Sequence, residues 1–169
     1  MTNLRFLKLS LFGLFSIFLF VILLIFLGVA AVSSSSGERT FEASLSGNEE
    51  VPPVQTKARG KAKFQLTDEG DKLTYTLIIS SIKDVIGCYV YKGKKGKNGP
   101  PVINLFTEPR KEDVAGTLLA GGKVEPYLLI GPLKGKPVKA LIQLMQAGQA
   151  YVNIQTKNHP EGEIRGQIR

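Results

Sequence analysis

Across residues 57–67, KARGKAKFQLT, every second side chain is small or apolar. Ala58, Gly60, Ala62, Phe64 and Leu66 fall on one side, and Lys57, Arg59, Lys61, Lys63, Gln65 and Thr67 fall on the other. Successive side chains leave a strand on opposite faces, so this row reads as a strand with one core face and one wet, basic face. After a turn in DEGDK (68–72), LTYTLIIS (73–80) repeats the period with Leu73, Tyr75, Leu77 and Ile79 on one side. The two segments are predicted to form a hairpin.

Further short strands are predicted at 84–91 (DVIGCYVY), at 101–106 (PVINLF) and within 115–124 (AGTLLAGGKV). QAYVNIQT (149–156) and GEIRGQIR (162–169) should close the chain as a hairpin around KNHPE. Glycine and proline at nearly every junction suit tight turns. One segment has the other period. Val138, Leu141, Ile142 and Met145 recur at i, i+3, i+4 and i+7 between Pro137 and Gly148, which predicts a short amphipathic helix. About seven strands with one helix predict an all-β fold, a Greek-key β-sandwich or small barrel.

The N-terminal segment follows different rules. Arg5 and Lys8 are the only charges before Glu38, and the 24 residues at 9–32 are uncharged. A signal peptide needs an apolar stretch of about 7–15 residues and a spanning helix about 20. The length fits a signal anchor, whereas Gly28, Ala30, Ala31 and Ser33 would suit a cleaved signal peptide, and both readings stand. Basic residues ahead of the run keep the N-terminus in the cytoplasm. The remainder is therefore expected outside, on a single-pass anchor in the cell membrane or secreted. The expected organisation is a signal anchor or signal peptide at 1–32, a polar linker at 33–39 and one domain at 40–169.

Beyond position 32, 20 basic residues face 14 acidic ones, a net charge of +6. Outside a cell that balance suits an anionic surface polymer or lipid headgroup. The single Cys88 excludes an internal disulfide, so stability must come from a hydrophobic core.

Three stretches carry a family resemblance: FEASLSGNEEVPPVQTKARGKAKF (41–64), IGCYVYKGKKGKNGPPVINL (86–105) and AGQAYVNIQTKNHPEGEIRGQI (147–168). Together they resemble the CHRD domain, a module named after chordin that also occurs alone in prokaryotic exported proteins. The resemblance implies an immunoglobulin-like or Cu/Zn-superoxide-dismutase-like β-fold with no established catalytic activity. Its departures are informative. The family pattern carries His-x-His where this chain has Tyr89-Val90-Tyr91, and another histidine where it has Gln155. The Asn that precedes the last proline of the pattern is His159 here.

A copper or zinc site needs several nitrogen, sulfur or carboxylate donors in one place. The soft or borderline donors are Cys88 and His159, in separate segments. Cys88 shares the face of Val90 and reads as a small core residue, and His159 reads as a turn residue in KNHPEG. No metal or other cofactor is expected. A serine or cysteine nucleophile needs a positioned base, and no G-x-S-x-G elbow occurs. Glu49 and Glu50, being adjacent on an extended chain, should point apart and form no acid–base pair. Asp68, Glu69 and Asp71 sit at a turn without the full EF-hand pattern. The chain reads as no enzyme. A metal-dependent redox protein is the enzyme-class alternative, and the missing histidines argue against it.

Two candidate binding features remain. YKGKKGKNGPP (91–101) sets Lys92, Lys94, Lys95 and Lys97 among glycines, and a free backbone with clustered ammonium groups suits phosphate, sulfate or carboxylate polymers. The basic row of 57–63 would extend that patch. No nucleic-acid motif is present, and nucleic acid is not an expected partner. The second feature is the outward row Tyr151, Asn153 and Gln155, with Tyr89 and Tyr91 beside it, as a small-ligand site. Glu163 and Arg165 are expected as an exposed pair on the last strand. The expected function is a non-catalytic binding or structural module outside the membrane.

Overall fold

The computed structural model describes residues 40–67, 72–106 and 117–169. The expected membrane or signal segment at 9–32, the linker at 33–39 and the turn at 68–71 lie outside the described residues. No described helix is long and apolar enough to cross a membrane.

The described residues form eight strands: β1 (Thr40–Ser46), β2 (Arg59–Leu66), β3 (Leu73–Ser80), β4 (Val85–Lys92), β5 (Pro101–Phe106), β6 (Thr117–Val124), β7 (Ala150–Thr156) and β8 (Ile164–Gln167). The helix α1 spans Val138–Gln146. All the strands join one antiparallel sheet in the order β5-β4-β7-β8-β1-β2-β3-β6. Among the described residues, the predicted all-β class with one short helix is what forms. Of the two architectures expected, the barrel is the better description, because one sheet rolls almost shut instead of two sheets stacking.

The predicted hairpin is β2–β3, in register from Arg59↔Ser80 to Leu66↔Leu73. Its alternation works as read: Ala62, Phe64, Leu73, Leu77 and Ile79 are buried. Each large side chain sealed this way contributes about 1.5–3 kcal/mol. β1 is an additional strand, with Phe41, Ala43 and Leu45 inward and Glu42 and Ser44 outward. α1 buries Val138, Leu141, Ile142 and Met145 in the same core. It stops where Gly148 turns to φ +62 and its N–H returns to Met145 O at 2.9 Å.

The rolled sheet leaves β5 and β6 as its edges. Tyr75 on β3 donates its hydroxyl to Leu105 O on β5 at 3.1 Å, across the barrel interior. The chain leaving β6 adds a bridge, Ile103↔Leu129, along β5. These contacts cover a β5 edge that would otherwise present unpaired backbone groups.

β7 breaks the alternation. Ala150, Tyr151, Val152, Asn153 and Ile154 are all buried. The row Tyr151 and Asn153, expected to face outward, does leave the core side, but it meets other chain instead of water. The 3-10 turn Gly47–Glu49 leads into Glu50, which bonds Asn153, and the β4–β5 loop reaches Tyr151 through Gly99. The outer face of β7 is therefore a second interior, and it is polar.

Candidate functional site

Arg165 on β8 organises this covered face. It is only 2% exposed, contrary to the exposed ion pair expected with Glu163. Its guanidinium donates to Asn98 Oδ1 and Lys97 O, both at 2.8 Å, and lies 3.4 Å from the centre of the Tyr151 ring. Glu163 turns the other way and accepts hydrogen bonds from Thr56 Oγ1 at 2.7 Å and Thr156 Oγ1 at 2.8 Å. A planar guanidinium can stack on an aromatic ring while its edges donate, which is why it can be buried here on neutral acceptors.

The lysine loop is the part that Arg165 holds. Lys92 N–H donates to Pro100 O at 2.9 Å and Gly93 N–H to Gln149 O at 3.0 Å. Gln167 Nε2 donates to Gly93 O at 3.1 Å, and Asn98 Nδ2 to Val51 O at 2.9 Å. The backbone freedom expected from its glycines is thus absent, because the loop is tied down from below at several points. Its side chains go the other way: Lys92, Lys94, Lys95 and Lys97 are all exposed. Lys95 pairs with Glu49 at 3.0 Å, and among the described residues the other three have no carboxylate within ion-pair range.

The expected extension of this patch along β2 is interrupted. β1 lies between β8 and β2 and contributes Glu42, whose carboxylate takes Lys61 Nζ at 3.0 Å. Arg59 spends its guanidinium on Thr56 O and Ala58 O. The two basic rows are separate surfaces.

The tyrosine group does converge. Tyr91 stacks on Tyr151 with ring centres 5.2 Å apart and planes within 9°, and Tyr89 meets Tyr91 edge-on at 6.1 Å. Gln155 Nε2 donates to Tyr91 Oη at 3.1 Å. Tyr89, Tyr91 and Gln155, where the family pattern carries histidine, are therefore neighbours in space. Burial, then the surrounding tyrosines and carboxylates, pushes the Tyr91 hydroxyl up to about 12, and burial also raises Tyr151. Both keep their protons at physiological pH.

Glu50 is the functional candidate that periodicity missed. Glu49 and Glu50 do point apart: Glu49 goes to Lys95, and Glu50 turns inward to 7% exposure. Both Glu50 carboxyl oxygens accept from Asn153 Nδ2, at 3.0 and 3.1 Å. Burial drives its pKa from 4.5 to about 7, against the partial opposition of Arg165 and the Val51 backbone. Gly162, at φ +142, leaves the room this pair needs, since a Cβ there would sit 2.7 Å from Glu50 Oε1. The sequence held one hint: an acidic residue just ahead of Val51-Pro52-Pro53, where the chain must turn sharply. Val51-Pro52 is in fact cis.

Glu50, Tyr91, Tyr151 and Asn153 line an open cleft of about 410 Å³. Val51, Pro52 and Val54 form an apolar wall, Asn98 and Gly99 the lysine-loop wall, and residues 158–162 the third side. The family's model for the CHRD domain matches residues 41–168. This chain belongs to the CHRD domain family. The match takes in both the covered face and the lysine loop, so in this CHRD domain the cleft is part of the module itself. Cys88, at 0% exposure on the core side of β4, and His159, half-buried in the β7–β8 turn, do not approach one another in sequence or element. Among the described residues, no group of three or more His, Cys, Asp or Glu is placed to hold a metal ion.

Proposed function

We propose that this CHRD domain is a non-catalytic extracytoplasmic binding module that meets an anionic surface polymer through the lysine loop. The segment at 9–32 then serves as its membrane tether, or as a removed export signal. Family membership supports a binding or structural module. The observation that carries the polymer reading is the loop's construction. Its backbone is held by Arg165, Gln167 and Gln149, while four lysine side chains project into solvent, with only Lys95 paired, to Glu49, among the described residues. Preorganised charge loses little entropy on binding, and each ammonium near an anionic surface contributes about 1 kcal/mol. Against catalysis, the His159 imidazole sits on a turn and the Cys88 thiol is sealed in the core.

Heparin chromatography of the full-length protein in mild detergent tests this. A Lys92→Ala/Lys94→Ala/Lys97→Ala variant should elute at clearly lower salt, and Lys57→Ala/Lys61→Ala/Lys63→Ala should shift less. Equal elution of the first variant and the parent would remove the reading. Retention on anionic lipid vesicles in place of heparin would move the partner from polymer to membrane surface.

A further inference from the structure

We infer that the cleft between the 50–54 segment, the lysine loop and the β7–β8 turn is a subsite for a neutral, hydroxyl-bearing ligand, a single sugar unit. This site is separate from the lysine surface and does not depend on it.

The argument is a matching of donors and acceptors. Tyr91 Oη accepts from Gln155 Nε2, and Tyr151 Oη accepts from Gly99 N–H at 3.3 Å. A phenol that has already accepted still has its own proton to give. The raised pKa values of both tyrosines keep those protons in place. The same cleft is lined by Glu50, whose carboxyl offers lone pairs beyond the two taken by Asn153 Nδ2. Asn153 Oδ1 is buried and has no hydrogen-bond partner among the described residues, a condition that costs free energy unless something supplies a donor. The cleft thus presents donors and acceptors together.

That combination discriminates. An ammonium ligand only donates, and would leave both phenol protons unmatched. Its usual aromatic landing place is also taken, because one face of Tyr151 carries Arg165 and the other Tyr91. A carboxylate or fully ionised phosphate only accepts, so it leaves the Glu50 lone pairs without a donor and is repelled whenever Glu50 is ionised. A hydroxyl group does both. A sugar ring adds apolar C–H surface for the Val51, Pro52 and Val54 wall. The cleft's roughly 410 Å³ falls in the range of small-molecule sites.

The test is saturation-transfer NMR on the full-length protein in detergent micelles, titrated with the methyl glycosides of glucose, galactose and N-acetylglucosamine. Propylammonium and inorganic phosphate are the contrasting probes. At least one glycoside should bind. Tyr91→Phe, which keeps the ring stack and removes one donor, should weaken it about tenfold, as the loss of one hydrogen bond implies. Glu50→Gln should weaken it too, and Lys92→Ala/Lys94→Ala/Lys97→Ala should leave it unchanged. The last variant separates this site from the polymer surface. Thermal melts of each variant establish that the fold persists. No glycoside binding, binding indifferent to Tyr91→Phe, or propylammonium or phosphate binding that the same variants abolish would overturn the inference.

Discussion

The β1–β2–β3 side of the barrel and the β4–β7–β8 side use the same alternating strands but differ in what their outer faces meet. On β2 and β3 the outer face meets water, with Arg59 and Lys61 exposed and even Ile78 at 47% exposure. On β7 and β8 the outer face is roofed by loops, and it holds Arg165, Asn153, Tyr151 and Glu50 in a buried polar layer. Polar groups on the first side interact with solvent and tolerate change. On the second side each has a partner to lose, so single changes should be costly. The difference teaches where to look for function in such a barrel: at the face that is buried twice.

The sharpest way to break that comparison is Arg165→Ala. It bares the Tyr151 ring and leaves Asn98 Oδ1 and Lys97 O without their donor. Urea denaturation should report a loss of about 3–4 kcal/mol. Arg59→Ala, on the wet side, should stay within about 0.5 kcal/mol. Similar losses at the two positions would abolish the distinction between the faces.

Glu50 gives the next effect, and it depends on pH. Its folded-state pKa lies above the unfolded value, so the folded protein binds this proton more tightly than the unfolded chain. Stability should therefore be fully present below pH 4.5 and fall as pH rises through about 7. The full shift would be worth about 3 kcal/mol, and solvent reaching the carboxyl reduces this to about 2. Glu50→Gln should remove that component from the curve of unfolding free energy against pH. A variant whose curve superimposes on the parent's would show that Glu50 is ionised at no cost.

The smallest effect belongs to the wet side. Lys61→Ala breaks the 3.0 Å pair with Glu42, both side chains about half exposed. Thermal denaturation should register between 0 and about 1 kcal/mol, vanishing in high salt. A larger loss would mean that the β1–β2 surface is also a structured layer.

Much of the fold was legible because strand and helix periods are local. The β2–β3 hairpin, the inward Cys88 and the four buried residues of α1 follow from spacing alone. The candidate site was legible in part. Tyr89, Tyr91, Tyr151 and Gln155 were assignable to one sheet face, and the lysines to an exposed loop. Arg165 was misread and Glu50 was passed over for one reason: alternation tells which side of a strand a residue leaves by, and nothing about what waits there.

The sequence by itself determined an all-β chain with one helix, the inner face of its strands and the exposure of the loop lysines. Only the tertiary structure decided that the outer face of β7 is interior, because its roof comes from distant chain. Glu50 and Asn153 are 103 residues apart, and Arg165 and Lys97 are 68 apart. Periodicity is a property of neighbours along the chain. A buried polar layer is a property of neighbours across it.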